Sequence, residues 1–338
     1  MFKFHKILFI STLMLGTLMA ISSYSCFSMW IGLEINMLSI IPLLKNHKTQ
    51  YPSEAALKYF ITQSLASIIL LFSIVMSLNL SEFFNMNFNN YYFMLILNSS
   101  LLTKMGAAPF HAWFPEVMEG LNWWNCFIML TWQKIAPMIL IMYNFQMTLY
   151  FSCIIIFSSL IGGILGLNQI SLRKIMAYSS INHIGWMIAS MLNFQFIWFI
   201  YFIIYSIITL NLIFMFKILN TFYLKQLFNM INFNKNMKIM FIFNFLSLGG
   251  LPPFLGFFPK WLAINNLIQN KFYSISFLLI TFTLITLFFY LRITFSALLL
   301  NTNETLVYSI KKINFFMYFL NFISLTGLLG CNLIFNSY

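Results

Sequence analysis

Five side chains in this sequence can bind and release protons and lie where a charge is out of place: Glu34, Lys104, Lys134, His183 and Lys260. Each sits inside a long apolar run. On insertion scales a charge at the centre of a membrane helix costs about 2.5–3.5 kcal/mol, so Glu34 and the three lysines together cost on the order of 10–14 kcal/mol. That is comparable to the whole stability of a typical protein, about 5–15 kcal/mol. One use for such groups is static ion pairing between helices. Three lysines against one carboxylate, however, leave lysines without an acidic partner. Desolvation favours the neutral form of an amine, and a lysine placed so exchanges its proton near neutrality. The balance of charges therefore favours a proton relay. His183, as an imidazole, is either a packed, hydrogen-bonded core residue or a shuttle. His111 has the same two readings. Glu116 and Glu119 follow it at the membrane surface, to cap a short helix or to collect protons, the structural role being favoured. Arg292 lies nearer the end of its span, where a long side chain snorkels to the surface.

The elements that hold these groups are unusual. Leu246 to Trp261 reads LSLGGLPPFLGFFPKW, within an apolar run from 239 to 268. As one helix that run would be roughly 45 Å long, against a bilayer core of about 30 Å. Gly249, Gly250, Pro252, Pro253, Gly256 and Pro259 make a continuous helix there untenable, because proline removes a donor and glycine relaxes the backbone. Lys260 follows the interruption. The same theme occurs earlier, where Lys104 precedes GAAPFHAWFP. The expected helix breaks are thus at Gly106, Pro109, Gly250, Pro252 and Pro253. Broken helices are tolerated at membrane depth only inside protein or beside a water-filled cavity, and with an ionisable residue they mark a transport pathway.

Hydrophobic residues make up 61% of the chain and charged ones only 7%, with a mean hydropathy of +0.87. This excludes a soluble domain and predicts an all-α polytopic membrane protein. The net charge of +12 does not signal nucleic acid, since the basic residues are spread through loops between apolar runs. Cys26, Cys126, Cys153 and Cys331 show no paired or metal-ligating spacing and read as small apolar residues. The N-terminus resembles a signal peptide but lacks a small-residue cleavage site, and is expected to be the first helix. The richness in Phe, Ile, Met, Asn and Tyr hints at an AT-rich, organellar coding sequence.

Apolar runs fall near 5–24, 27–44, 55–79, 92–110, 124–145, 149–167, 173–192, 195–220, 239–268, 273–300 and 314–335, about eleven transmembrane helices. Loops on the N-terminal side carry Lys3, Lys6, Lys45, Lys48, Arg173, Lys174, Lys217, Lys225, Lys235, Lys238, Lys311 and Lys312. The opposite loops carry essentially Lys271. This asymmetry puts the N-terminus inside and the C-terminus outside. Glu54 and Lys58 stand four apart, in the favourable order for an exposed helical pair, and Gly162, Gly163 and Gly166 allow close helix packing. The two breaks, at Pro109 and Pro252, are about 143 residues apart, which suggests two repeats, and an odd number of helices in each makes the second inverted. Glu34 moved by a similar interval lands near His183, and Lys134 maps loosely towards Arg292. The predicted organisation is one membrane domain: a five-helix repeat over 1–146, a second, inverted one over 147–301, and a C-terminal helix within 302–338.

GAAPFHAWFPEVMEG, LRKIMAYSSINHIG and LSLGGLPPFLGFFPKW together resemble the antiporter-like membrane subunits of respiratory complex I. The likeness covers nearly the whole chain. The first two motifs are shared more loosely with multisubunit cation/proton antiporters, while WIGLEINMLSIIPLL and GGLPPFLGFFPKW are the more specific. The resemblance implies a multi-pass protein of the mitochondrial inner membrane, with its N-terminus in the matrix and its C-terminus in the intermembrane space. It would sit between complex I chains 4L and 4, contact accessory subunits and lipids (cardiolipin is the candidate), and pump protons. By the same resemblance Glu34 and Lys104 form a glutamate–lysine pair, Lys134 is the central relay lysine, and Lys260 is the lysine of the second broken helix. His183, in AYSSINHIG, would connect the halves. The chain departs from the bacterial pattern by lacking three N-terminal helices, and it has Glu116 where looser relatives have Asp.

There is no GxGxxG fingerprint, phosphate loop or cysteine cluster, so the sequence predicts no cofactor and no metal on this chain. In a complex of the kind implied, FMN, iron–sulfur clusters, NADH and ubiquinone would be handled by other subunits. Two rival functions use the same residues: a subunit of a multisubunit cation/proton antiporter, and a structural spacer whose lysines serve assembly or charge coupling.

Overall fold

A computed structural model of the protein describes residues 4–45, 50–83, 87–145, 147–231, 235–299 and 315–335. Lys3, Lys48, Lys311 and Lys312, the side chain of Cys331, and the expected boundaries at 146 and 301–302 lie outside the described residues. Among those described, secondary structure is helical, apart from an isolated antiparallel bridge between Ser171 and Tyr223. The chain falls into two compact units, residues 1–154 and 155–338.

The first unit contains α1 (Phe4–Ser22), α2 (Cys26–Leu44), α3 (Tyr51–Phe83), α4 (Asn87–Met105), α5 (Trp113–Gly120), α6 (Trp123–Leu130) and α7 (Trp132–Tyr143), and α8 (Thr148–Gly166) begins in it. Ser25 caps α2, accepting from the Ser28 backbone amide at 3.2 Å. The fifth expected span, 124–145, is not one helix. It is interrupted at Thr131, whose φ of −117° and ψ of −71° depart from α geometry. The hydroxyl of Thr131 donates to the Phe127 carbonyl at 2.8 Å. Pro137, inside α7, has no amide to offer the Gln133 carbonyl. Lys134 thus lies between a displaced turn and a proline.

The second unit contains α9 (Leu172–Met191), α10 (Gln195–Leu219), α11 (Leu224–Ile231), α12 (Lys235–Gly249), α13 (Phe257–Gln269), α14 (Tyr273–Leu299) and α15 (Phe315–Phe335). The short α11 is not an expected span. It starts where the Leu172 amide donates to the Phe222 carbonyl at 2.9 Å and Leu224 to Ile170 at 3.2 Å, which fastens it to the start of α9. In α9 every residue but Arg173, Lys174 and Tyr178 is buried, so its polar side chains are shielded by protein. Gly162 of α8 makes this approach possible, because a Cβ there would lie 2.8 Å from the Asn182 backbone nitrogen.

Among the described residues seven stretches are long and apolar enough to cross a membrane: Phe4–Ser22, Cys26–Leu44, Tyr51–Leu78, Trp123–Tyr143, Thr148–Gly166, Gln195–Leu219 and Tyr273–Leu299. The fourth and seventh expected spans fall short because they carry Asn98, Ser100, Thr103 and Lys104, or Arg173, Lys174 and His183. The ninth is cut into α12 and α13. Burial is sorted as lipid demands. Ile68 is 63% exposed and Phe277 66%, while Lys134 is 1% exposed. Apolar side chains face outward without penalty in hydrocarbon, and polar ones turn inward.

Candidate proton-path residues

The helices α4 and α12 end in the same way, each at a turn that opens on a glycine. At the first, the amides of Gly106 and Ala107 fold back onto the Thr103 and Leu102 carbonyls, at 3.2 and 3.1 Å. At the second, Gly250 and Leu251 fold back onto Ser247 and Leu246, at 3.0 and 3.3 Å. Each glycine has positive φ, +74° at Gly106 and +78° at Gly250, the left-handed cap that glycine alone adopts without a steric cost. Pro109 lies within the first interruption, and Pro252 and Pro253 within the second.

The two breaks differ in what covers the carbonyls they release. At the first, the Trp113 indole donates to the Thr103 carbonyl at 3.0 Å. At the second, the Lys260 ammonium donates to Gly249 at 2.8 Å and to Leu248 at 3.3 Å. A helix C-terminus carries partial negative charge, which favours a cation there. Lys260 also lies over the Trp186 ring, 5.8 Å from its centroid. A Cβ at Gly250 would come within 2.9 Å of the Lys260 Nζ, so this glycine provides both the turn and the room.

In the first unit Lys104 is in the last turn of α4, 7% exposed, and its Nζ makes no hydrogen bond. Glu34 on α2 is near enough to act on it electrostatically, and Glu34 Oε1 is buried without a hydrogen-bond partner. Lys104 faces a cavity of about 10 Å³ bounded by Asn36, Tyr59, Gln63 and Gln133 among others, the size that admits about one water. Gln133 joins this ring, donating to Asn36 Oδ1 at 2.8 Å and accepting from the Tyr59 hydroxyl at 3.4 Å. Gln133 directly precedes Lys134, whose ammonium is buried 5.6 Å from the centroid of Phe114 on α5. Asn36, Tyr59, Gln63 and Gln133 were not singled out from sequence. Their signal was present: each is a hydrogen-bonding side chain within an apolar run, on a helix that carries or faces a charge.

In the second unit His183 is buried on α9, its Nδ1 2.9 Å from the Tyr201 hydroxyl. It borders a second small cavity with Tyr201, Tyr205, Ser247, Leu248 and Pro259. That cavity reaches both the end of α12, whose Leu248 carbonyl receives Lys260, and the residue preceding Lys260. His183 thus borders a small cavity whose wall includes Leu248, the residue whose carbonyl receives Lys260.

The remaining candidates have structural partners. Lys58 pairs with Glu116 at 2.7 Å and not with Glu54, because α5 brings Glu116 across to α3. Glu116 thus ties two helices and caps none; the Ala112 cap of α5 has no side-chain bond. His111 Nδ1 meets the Pro109 carbonyl at 3.1 Å, and the side chain is half-buried. Arg292 donates to the Leu167 carbonyl at 2.9 Å, just past the end of α8. Cys126 is buried and Cys26 and Cys153 are exposed. Among the described residues no group of three or more His, Cys, Asp or Glu side chains could hold a metal.

An all-helical membrane protein with lysines buried beside broken helices is of the antiporter-like class. The chain belongs to the NADH:quinone oxidoreductase/Mrp antiporter transmembrane family, whose model matches residues 23–286. It is 47% identical over 339 residues to NADH-ubiquinone oxidoreductase chain 2 of Anopheles gambiae, covering 98% of both chains. Among solved structures it is similar to a chain of respiratory complex I from Thermus thermophilus, with a TM-score of 0.85 and 22% identity over 97% of this chain and 79% of that one. It is also similar to a chain of the Mrp complex from Dietzia, with a TM-score of 0.72 and 15% identity over 84% of this chain and 59% of the other.

Proposed function

We propose that this protein is a proton-translocating core subunit of respiratory complex I, the H⁺-translocating NADH:ubiquinone reductase, and carries no redox centre itself. The observation that carries the reading is Lys260. Its ammonium rests on two backbone carbonyls released by a broken helix, and one of them belongs to Leu248, which lines the small cavity beside His183. A lysine held by neutral groups can lose its proton without leaving a buried carboxylate unpaired, which a lysine in a static ion pair cannot do.

In the proposed cycle a change of charge in a neighbouring subunit alters the hold of Glu34 on Lys104. Release of Lys104 changes the proton affinity of Lys134. In the second unit His183 passes a proton to Lys260, which discharges it to the outer side. NADH, FMN, the iron–sulfur clusters and ubiquinone act on other subunits. The partners of this chain are the membrane subunits 4L and 4, accessory subunits and lipids, with cardiolipin a candidate. The proposed topology is eleven spans in the mitochondrial inner membrane, with the N-terminus in the matrix and the C-terminus in the intermembrane space. Residues 1–146 and 147–301 would be the two inverted repeats and 302–338 would hold the last helix. The odd number of spans in each repeat is what reverses the second.

The likeness to the Mrp chain favours a second reading, a subunit of a cation/proton antiporter. Native electrophoresis of mild-detergent membranes separates the two. The chain is located by mass spectrometry and the lanes are stained for NADH dehydrogenase activity. Complex I membership requires this chain in a large NADH-oxidising band. A smaller band without that activity, with sodium-dependent proton flux in vesicles, selects the antiporter.

A further inference from the structure

Lys104 and Lys134 lie on different helices, α4 and α7, and the cycle above requires one to feel the other. A residue that cannot ionise borders both. Gln133 lines the cavity of about 10 Å³ that Lys104 also lines, and it directly precedes Lys134. Its amide reaches two further helices, donating to Asn36 Oδ1 on α2 at 2.8 Å and accepting from the Tyr59 hydroxyl on α3 at 3.4 Å. The second distance exceeds the usual O–H···O range of about 2.5–3.0 Å, so Gln133 Oε1 keeps capacity for another donor. Gln63, in the same wall, directs its amide to the Lys104 backbone carbonyl at 3.4 Å. The Lys104 ammonium is buried and makes no hydrogen bond within the protein. A buried water needs room for about one probe sphere and two to four polar partners, and this cavity offers both.

The first turn of α7 is held lightly by its own backbone. The Lys134 amide bonds to the Thr131 carbonyl, only three residues back, at 3.1 Å. Pro137 offers the Gln133 carbonyl no amide. The side chain of Gln133 therefore helps to fix this turn against α2 and α3. We propose that Gln133 is a positioning residue of the relay: a water in the cavity joins the Lys104 ammonium to Gln133 Oε1, and the pull on this amide sets where the turn carrying Lys134 sits. Gln133 itself passes no proton. When Lys104 is charged, its ammonium donates to the water and polarises it, which strengthens the bond that the water donates to Gln133 Oε1. When Lys104 is neutral that charge is gone, and the Tyr59 hydroxyl regains the oxygen. The charge on one lysine is thus converted into a choice of hydrogen bond beside the other.

This inference rests on the proton-pumping reading, and the test keeps the two apart. Proton flux per NADH oxidised and the amount of assembled complex are measured in membranes carrying Gln133→Leu, Lys104→Met, both together, Gln133→Asn or Lys260→Met. The proposal predicts a severalfold loss of flux in Gln133→Leu with the complex assembled. Adding Lys104→Met brings no further loss, because residues that act as one unit are not additive. Losses that multiply in the double variant leave Gln133 a packing role and overturn the proposal. Full flux in Gln133→Leu with a loss in Lys260→Met also overturns it and leaves the pumping reading standing. Full flux in both overturns both. Should Gln133→Leu fail to assemble, Gln133→Asn decides, since it keeps the amide but draws it back by one methylene. Reduced flux that Lys104→Met does not lower further supports the proposal, and any other result removes it.

Discussion

Gly250 concentrates several constraints in one residue. Its φ of +78° is a region that an L side chain enters at a cost of about 1–3 kcal/mol, and its missing Cβ leaves the space that the Lys260 ammonium occupies. Gly250→Ala is therefore expected to displace Lys260 from the Gly249 carbonyl and to lower coupled proton flux more than it lowers assembly, measured side by side. Lys104 is a different case, buried with an unbonded ammonium beside a small polar cavity. Lys104→Met should leave the protein inserted while reducing pumping per NADH. Full pumping in that variant would remove Lys104 from the relay. Lys58 and Glu116 form the opposite extreme, with side chains 54% and 57% exposed. Water screens such a pair, so Lys58→Ala should alter neither assembly nor flux.

At the scale of elements, the breaks were legible because Gly-Pro clusters in an apolar run leave few alternatives. What each break does with its lysine was not. A side chain in a helix is directed back towards the N-terminus, so Lys104, ahead of Gly106, points away from the carbonyls its helix releases. Lys260 follows Gly250 and returns on α13 to cap α12. Motif spacing alone treats the two lysines alike, and only the chain path separates them. The interruption at Thr131 was missed for a related reason: a single displaced turn leaves little trace in hydropathy, and Pro137, six residues on, was its available signal. The asparagines were also missed. Asn244 of α12 bonds to Asn321 of α15, accepts from Ser324 at 3.3 Å and lies 3.5 Å from the amide of Asn211 on α10. Interhelical hydrogen bonds in membranes average about 0.6 and reach about 1.7 kcal/mol. Asn244→Leu should cost a similar amount, seen as a lower midpoint for heat inactivation of the assembled protein.

At the scale of the whole molecule, composition was sufficient for the class. A chain with 7% charged residues cannot keep a soluble surface, and the few charges at depth then stand out as candidates for function. The chemistry of those charges depends on neighbours distant in sequence. Gln133 with Asn36 and Tyr59 is one such set, and His183 with Tyr201 and the α12 carbonyls is another. No local pattern encodes them. The central claim is that buried lysines in both units carry the protons that this protein moves. The most direct measurement is the number of protons translocated per NADH oxidised when Lys134→Met and Lys260→Met are combined in an assembled complex. The account predicts a lower ratio with the complex intact. An unchanged ratio would contradict it and leave the lysines a role in assembly alone.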